Sequence, residues 1–232
     1  MAVWSNVNTQ EIAKFRRIDG EFFHPKYIQA EDIIHRYNHV KSLGKLGDFL
    51  IGPFGSAFHV SNYDDKSCYR YVRGKDVKPF SLLNDDNVYM PEKDYKRLQK
   101  YALQEEDLLI SVVGTLGNVA IVPEDVKGIF SCKSTVFRNS KVDPYFLLAY
   151  FNSTYGRECL LRRQRGAIQT GLNKEDLKTV PVPLLPDDEQ STIGKNVKHA
   201  LKLLISSNAL YAQAQEILER ELGLNKIKFE KP

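Results

Sequence analysis

The spacing of apolar side chains changes along the chain, and the first regular pattern is helical. Ile33, Tyr37 and Val40 recur three and four residues apart, with charged residues on the opposite face, which is the period of an amphipathic helix. Pro25 stands at the first helical position, where proline is tolerated. We therefore predict one helix over 25–41 and no regular structure in the polar stretch before it.

Farther along, short apolar runs are interrupted by Gly, Pro, Asn and Asp, which is typical of β-structure. Two of the runs flank Gly114 and Gly117, which permit a tight loop and so predict a hairpin. The predicted strands cover residues 69–72, 107–113, 119–122 and 134–138.

Helical spacing returns after Asp143 and Pro144, an acidic N-cap followed by proline at the first helical position. We predict a helix over 145–163 and then a loop punctuated by glycines over 163–171. Asn173 is expected to cap a short helix that follows this loop.

Three prolines between residues 180 and 186 fix an extended backbone, and the most regular pattern of the chain follows them. Asp187 or Asp188 is expected to cap a helix that ends at Leu222, about 50 Å away. Apolar residues and two polar ones alternate three and four apart along it, as in a coiled-coil seam. The seam consists of Leu201, Leu204, Asn208, Tyr211, Gln215, Leu218 and Leu222.

A helix of this length with a narrow apolar stripe needs a second helix to cover it. The partner is either the helix over 25–41 or a helix from a second chain, and the alternative is an amphipathic helix lying on its own domain. The fold class is predicted to be α+β. The predicted parts are an N-terminal segment with one helix (1–42), a β-rich globular domain (43–186), a long coiled-coil helix (187–224) and a tail (225–232).

Composition excludes several classes of protein. With 42% hydrophobic and 27% charged residues in 232, the chain is neither wholly disordered nor fibrous. No apolar run approaches the roughly 20 residues of a membrane span, and residues 1–8 do not resemble a signal peptide. Three scattered cysteines (Cys68, Cys132 and Cys159) fit a reducing cytoplasm better than a disulfide scaffold.

Motifs for catalysis and metal binding are incomplete. Residues 128–134 resemble a phosphate-binding loop but lack the second glycine before the lysine. No GxGxxG, no GxSxG and no Asn/Asp-Pro-Pro-aromatic motif of adenine methyltransferases occurs. His35 and His39 have no third ligand arranged with them, and the acidic segment 124–127 is a turn by its flanking proline and glycine. We predict no catalytic residue and no metal site.

Positive charge is concentrated in one region. The net charge is +4, and residues 131–180 hold nine bases and four acids. Arginine and glutamine can make paired hydrogen bonds with base edges, and arginine also binds phosphates. The alternative is a helix end whose cations complement its dipole. The cluster comprises Arg157, Arg162, Arg163, Gln164, Arg165 and Gln169.

Four segments in order resemble the target recognition domain of type I restriction–modification specificity subunits. The stretch over 17–27 resembles the one that precedes this domain in related proteins, including fused restriction–methylation enzymes. The four segments are 46–56 (LGDFLIGPFGS), 71–77 (YVRGKDV), 103–117 (LQEEDLLISVVGTLG), and 166–173 (GAIQTGLN) with the following 180–184 (VPVPL) and Glu189-Gln190.

The resemblance implies a recognition domain with a long helix that pairs in an antiparallel coiled coil. It implies that the chain reads half of a bipartite double-stranded DNA target. It also implies that the chain docks a methyltransferase subunit and, where one exists, a restriction subunit. Catalysis and S-adenosylmethionine are expected on the partner methyltransferase, and this chain is expected to bind no cofactor. Since full-length subunits carry two such domains and two such helices, a half-size subunit that forms a homodimer through its C-terminal helix is expected.

DNA contacts are expected from the loops over 52–63, 73–78, 114–118 and 162–174. Two other functions stay open: a coiled-coil interaction module that does not bind DNA, and a diverged nuclease or methyltransferase. The candidate DNA-binding residues are Arg162, Arg163, Arg165, Gln169, Thr170 and Lys174, followed by Ser56, His59, Arg73, Lys75 and Thr115.

Overall fold

The fold is α+β, as predicted, and the computed structural model describes residues 3–166, 168 and 170–223. The α-helices in these residues are α1 (Thr9–Phe15), α2 (Pro25–His35), α3 (Glu92–Arg97), α4 (Pro144–Asn152), α5 (Thr154–Leu161), α6 (Lys174–Leu177) and α7 (Asp187–Glu221). The strands are β1 (Val40–Ser42), β2 (Asp48–Ile51), β3 (Tyr69–Val72), β4 (Tyr89–Met90), β5 (Leu108–Ser111), β6 (Val119–Ile121), β7 (Gly128–Phe130), β8 (Ser134–Arg138), β9 (Gln164–Arg165), β10 (Gly171–Leu172) and β11 (Pro181–Pro183).

Two sheets form the centre of the molecule. An antiparallel sheet has the strand order β2-β8-β5-β6, and a second sheet has the order β4-β3-β7 with β3 parallel to β7. The predicted hairpin is confirmed, since Ile110 of β5 pairs with Val119 of β6. The strands predicted over 69–72 and 134–138 have the predicted bounds.

The four-stranded sheet is buried on both faces. Ile110 and Phe137 share a core cluster with Leu147 of α4, whereas Leu109 belongs to the cluster that contains Val72 of the second sheet. Neighbouring residues of a strand point to opposite faces, so a strand with both faces covered is apolar throughout. The result is a helical layer, the larger sheet and the smaller sheet, stacked in that order.

The helix predicted over 145–163 is interrupted at Ser153, which ends α4 and caps α5. The Ser153 hydroxyl accepts from the N–H of Gly156 at 3.2 Å and donates to the carbonyl of Tyr150 at 2.6 Å. A Cβ on Gly156 would lie 2.0 Å from that carbonyl oxygen. The predicted helix is therefore divided by a serine cap and by a close approach of Gly156 to the backbone. Neither feature alters the spacing of the apolar residues, so the spacing did not predict the break.

The N-terminal prediction was wrong in two places. The helix that starts at Pro25 ends at His35, because Val40 joins β1 and pairs with Pro183 of β11. An additional helix, α1, forms before it, with the side chain of Asn8 accepting from the N–H of Glu11 at 2.8 Å. The N-terminal segment thus contains two short helices, and α2 packs against α5 and β11.

The long helix is confirmed, although its cap is not. α7 begins directly after Pro186, and no side chain caps its first N–H groups. Asp187 and Asp188 lie inside the first turn, where their charges favour the positive end of the helix dipole. The predicted tail over 225–232 lies outside the described residues, and the predicted division of the chain at 42, 186 and 224 stays a prediction.

Only the first half of α7 packs on the globular part. Gly194 lies against the carboxylate of Asp143, where a Cβ would approach an oxygen to 2.5 Å, and Leu201 is partly buried against the main core. Beyond Leu201 nearly all residues of the helix are exposed. The second half of α7 therefore extends away from the domain.

The described residues contain no candidate for a membrane-spanning helix or for a metal site. None of their helices combines the length and apolar character that crossing a bilayer requires. No group of three or more His, Cys, Asp and Glu side chains among them is placed to hold a metal ion.

Candidate nucleic-acid interface

Several loops leave the sheets at the same edge. β2 and β5 both end where β8 begins, and Ile51 at the end of β2 lies opposite Thr135. β3 ends beside the same place, because the N–H of Ser131 donates to the carbonyl of Val72 at 2.9 Å. The loops that follow these three strands are thereby brought together with the turn that precedes β8.

The turn over 131–133 is the point on which these loops pack. A Cβ on Gly52 would lie 2.5 Å from the carbonyl oxygen of Ser131, and one on Gly74 would lie 2.8 Å from the Cβ of Lys133. The carbonyl of Lys133 accepts from the N–H of Val112 at 2.9 Å. Glycine is thus required at the two positions where the neighbouring loops touch the turn.

The hairpin of β9 and β10 joins the same edge. The N–H of Leu172 in β10 donates to the carbonyl of Val112 at 2.9 Å. At the tip, Gly166 has a φ of +104° and the side chain of Ile168 is fully exposed. We call this edge, with the segments 52–63, 73–78, 114–118, 131–133, 164–166 and 170–172, the loop edge.

Two candidate residues are not available at the loop edge. Arg162 and Arg163 are 3% and 2% exposed, and both bind the carboxylate of Glu31, which is 4% exposed. Burial lowers the pKa of Arg162, and the charge of Glu31 opposes that shift. Because their guanidinium groups are enclosed and paired, we remove both arginines from the DNA-binding set.

Arg165 does lie at the surface, at the end of β9 beside the tip of the hairpin. Its Nη2 donates to Asp176 at 2.8 Å, and its Nε donates to the other oxygen of the same carboxylate. These hydrogen bonds raise the pKa of Arg165. Its side chain is nevertheless 47% exposed, so one side of the guanidinium stays open to a ligand.

The bases on the loop after β3 are held by acids. Arg73 donates from Nε and Nη2 to Asp76 at 3.0 and 2.9 Å, and Lys75 lies 2.6 Å from Asp86. The hydrogen bond to Asp76 raises the pKa of Arg73, and the hydrogen bond from Lys75 lowers the pKa of Asp86. The positive charge of this loop is therefore largely compensated within the chain.

The other candidates are distributed over the loop edge and its border. Lys174 is half-buried at the start of α6, and Gln169 lies outside the described residues. Arg157 donates to the carbonyl of Gly117 at 3.0 Å and so supports the loop after β5. The exposed candidates are Ser56, His59, Thr115 and Thr170.

Two features of the loop edge were not predicted from the sequence. Lys133 is exposed at its centre and makes no ion pair with any described carboxylate. Phe54 is 87% exposed in the loop after β2. A signal for Lys133 was present, because the segment 128–134 resembles a phosphate-binding loop, whereas nothing in the pattern distinguishes Phe54 from a core residue.

A second uncovered surface follows α7. Within the described residues no element packs on its second half, and α2 does not cover it, so that alternative is excluded. Leu201, the first residue of the predicted seam, is partly buried against the domain. The exposed apolar stripe of α7 therefore lies slightly to one side of the predicted seam. We call the heptad-spaced residue pairs that form it the α7 face: Leu203, Leu204, Leu210, Tyr211, Ile217 and Leu218, which are 47–70% exposed.

Comparison with known proteins identifies relatives. Over 115 residues the chain is 30% identical to a putative type I restriction enzyme MjaX specificity subunit of Methanocaldococcus jannaschii, which covers 48% of this chain and 26% of that protein. Over 177 residues it is 25% identical to the type I restriction enzyme EcoBI specificity subunit of Escherichia coli, covering 70% and 37%. The chain thus spans about a quarter to just over a third of these relatives.

The fold is shared with a solved structure. The S subunit of a type I restriction–modification system from M. genitalium superposes with a TM-score of 0.57 at 16% identity, covering 78% of this chain and 43% of the other. The family model described as type I restriction modification DNA specificity domain matches residues 39–216, which is most of the chain. The chain therefore belongs to the family of type I restriction–modification DNA specificity domains.

Proposed function

We propose that this chain is a sequence-specificity subunit that reads one half of a bipartite double-stranded DNA target. The observation that carries the proposal is the loop edge, where segments far apart in the sequence converge beside an exposed lysine. Loops held on a rigid scaffold are common sites of recognition. A lysine there can bind a phosphate, and exposed side chains of the loops can reach base edges.

The relatives support separate subunits for DNA recognition and for catalysis. Their names describe specificity subunits of type I restriction enzymes. We propose that this chain has no catalytic activity and binds no cofactor, and that it carries a methyltransferase subunit, with its S-adenosylmethionine, to the target. A restriction subunit joins where the system has one, and the complex acts on DNA in the cytoplasm.

The α7 face supports a homodimer as the form that reads a complete target. It lies on the half of a 35-residue helix that extends beyond the domain, and an apolar stripe of this kind is covered by a second helix. Two copies related by a twofold axis would present two equal recognition surfaces and would therefore read two equal half-sites.

Charge favours an antiparallel arrangement of the two helices. Between residues 195 and 221 of α7 the charged side chains of the first part are bases, and those of the last part are three acids and Arg220. Antiparallel copies therefore bring opposite net charges together over this stretch, whereas parallel copies oppose like charges. The bases are Lys195, Lys198 and Lys202, and the acids are Glu216, Glu219 and Glu221.

Selection from a random duplex DNA library tests the proposal, with the purified chain as bait and a repeat with the methyltransferase present. We expect enrichment of an inverted repeat with a fixed spacer. Affinity for the enriched duplex should fall steeply with salt, because each phosphate contact releases counterions. No enrichment in either selection would overturn DNA reading and would favour an interaction module.

A further inference from the structure

The hairpin of β9 and β10 is held by the N-terminal segment, which precedes the residues matched by the family model (39–216). The contacts begin immediately before the hairpin. Glu31 of α2 binds Arg162 at 2.6 Å through one oxygen and Arg163 through the other. Arg162 also donates from Nε to the carbonyl of Phe22 at 3.1 Å.

Arg17 makes the next contact, on the hairpin itself. Its Nη2 donates to the backbone carbonyl of Gln164 in β9 at 2.7 Å, while its Nε and Nη2 both donate to Asp19. The side chain of Gln164 donates to the hydroxyl of Tyr27 at 3.2 Å. Three successive residues, 162, 163 and 164, are therefore each held by groups from the first 31 residues.

Aromatic packing completes this arrangement. Two guanidinium groups contact the ring of Phe22, and the Cζ atoms of Arg17 and Arg162 each lie 4.4 Å from its centroid. Phe22 is 2% exposed. Cation–π contacts are strongest where water is excluded, so the ring fixes the two arginines relative to each other.

We infer that Arg17 and Glu31 are positioning residues that set the orientation of the hairpin over 164–172 and thereby the specificity of DNA reading. The effect on the specificity of DNA reading rests on the proposed function, whereas the effect on the orientation of the hairpin does not. Arg17 acts through the Gln164 carbonyl, and Glu31 acts by neutralising the two arginines that precede the hairpin. Neither residue needs to touch DNA.

The primary test is Arg17→Met in the full chain. Methionine retains the apolar length of the side chain but donates no hydrogen bond, and Asp19, which is partly exposed, can be solvated. The matched control is Arg16→Met, which removes the same charge one residue away from an exposed position. Arg17→Lys, which keeps a charged donor, is the rescue variant.

The first readout is amide hydrogen exchange over 164–172 relative to β5 and β8. We expect Arg17→Met to accelerate exchange in the hairpin by about threefold to tenfold, the effect of one lost hydrogen bond, with β5 and β8 unchanged. Arg17→Lys should restore part of the protection. Equal exchange in the Arg17→Met and Arg16→Met variants would overturn the inference.

The second readout is the ratio of affinities for the enriched duplex and a random duplex. We expect Arg17→Met to lower this ratio by a similar factor and Arg16→Met to leave it unchanged. A parent chain without any preference for a duplex would refute the proposed function, and the exchange comparison would still decide whether Arg17 positions the hairpin. Where Arg17→Met does not fold, Glu31→Gln provides the same comparison, with the exposed Asp32→Asn as its control.

Discussion

The carboxylate of Glu31 and the guanidinium of Arg162 lie 2.6 Å apart in the interior, although 131 residues separate them in the sequence. This pair and its neighbour Arg163 connect the N-terminal segment to the start of the hairpin at the loop edge. A buried ion pair of this kind contributes little net stability compared with apolar packing. Removing one member of the ion pair, however, destabilises the fold, because it leaves a buried charge without a partner.

Glu31→Ala is predicted to lower the free energy of unfolding by about 3–5 kcal/mol, because it leaves two buried guanidinium groups without a counter-charge. Urea denaturation of the variant and the parent chain measures the difference. The control is Asp32→Ala, at the exposed neighbouring position, where a change within about 0.5 kcal/mol is expected. Equal midpoints for the two variants would contradict a structural role for Glu31.

Lys133→Ala is predicted to weaken binding of the enriched duplex and of a random duplex by the same factor. The reason is that an unpaired lysine at the centre of the loop edge is suited to a phosphate, and a phosphate contact carries no sequence information. The slope of log affinity against log salt should decrease by about 1. Lys127→Ala is the control, because Lys127 is exposed at the opposite end of β7. An unchanged salt slope would show that Lys133 does not contact DNA.

Arg165→Ala is predicted to reduce affinity for the enriched duplex by about 1–3 kcal/mol, the value for a residue that contacts a base. The same result is predicted from the sequence for Gln169→Ala. Measuring the affinity of each variant for the enriched duplex and for a random duplex distinguishes a base contact from a phosphate contact. Equal losses on both duplexes would assign these side chains to phosphates.

Leu218→Glu is predicted to dissociate the homodimer. A twofold interface contains the residue twice, so the change removes about 3–6 kcal/mol of apolar burial and adds two charges beside other acids. Light scattering at micromolar concentration should give the mass of two chains for the parent and of one chain for the variant. The matched control is Gln213→Glu, an exposed position of α7 outside the α7 face. A parent chain with the mass of one chain would rule out the homodimer.

Features that depend on neighbouring residues were predictable. The bounds of β3 and β8 and the pairing of β5 with β6 follow from apolar runs and from glycines that permit turns. The extent of α7 follows from its heptad spacing after a run of prolines. All segments that form the loop edge except 131–133 were also anticipated, because glycine and polar residues mark the ends of strands.

Features that depend on residues far apart in the sequence were not predictable. Val40 continues a helical pattern but joins a strand, because β11, more than 140 residues later in the chain, offers backbone hydrogen bonds. Arg162 and Arg163 are residue types that often contact DNA, but both are buried in ion pairs with a carboxylate of α2 and are not accessible at the surface.

The sequence by itself therefore determined the family, through its motifs, and also the β5–β6 hairpin and the long helix, since periodicity and turn residues act over short stretches of chain. The tertiary structure decided which cations are accessible and that loops far apart in the chain share one edge. The physical reason is that burial of a charge and convergence of loops depend on groups that only folding brings together.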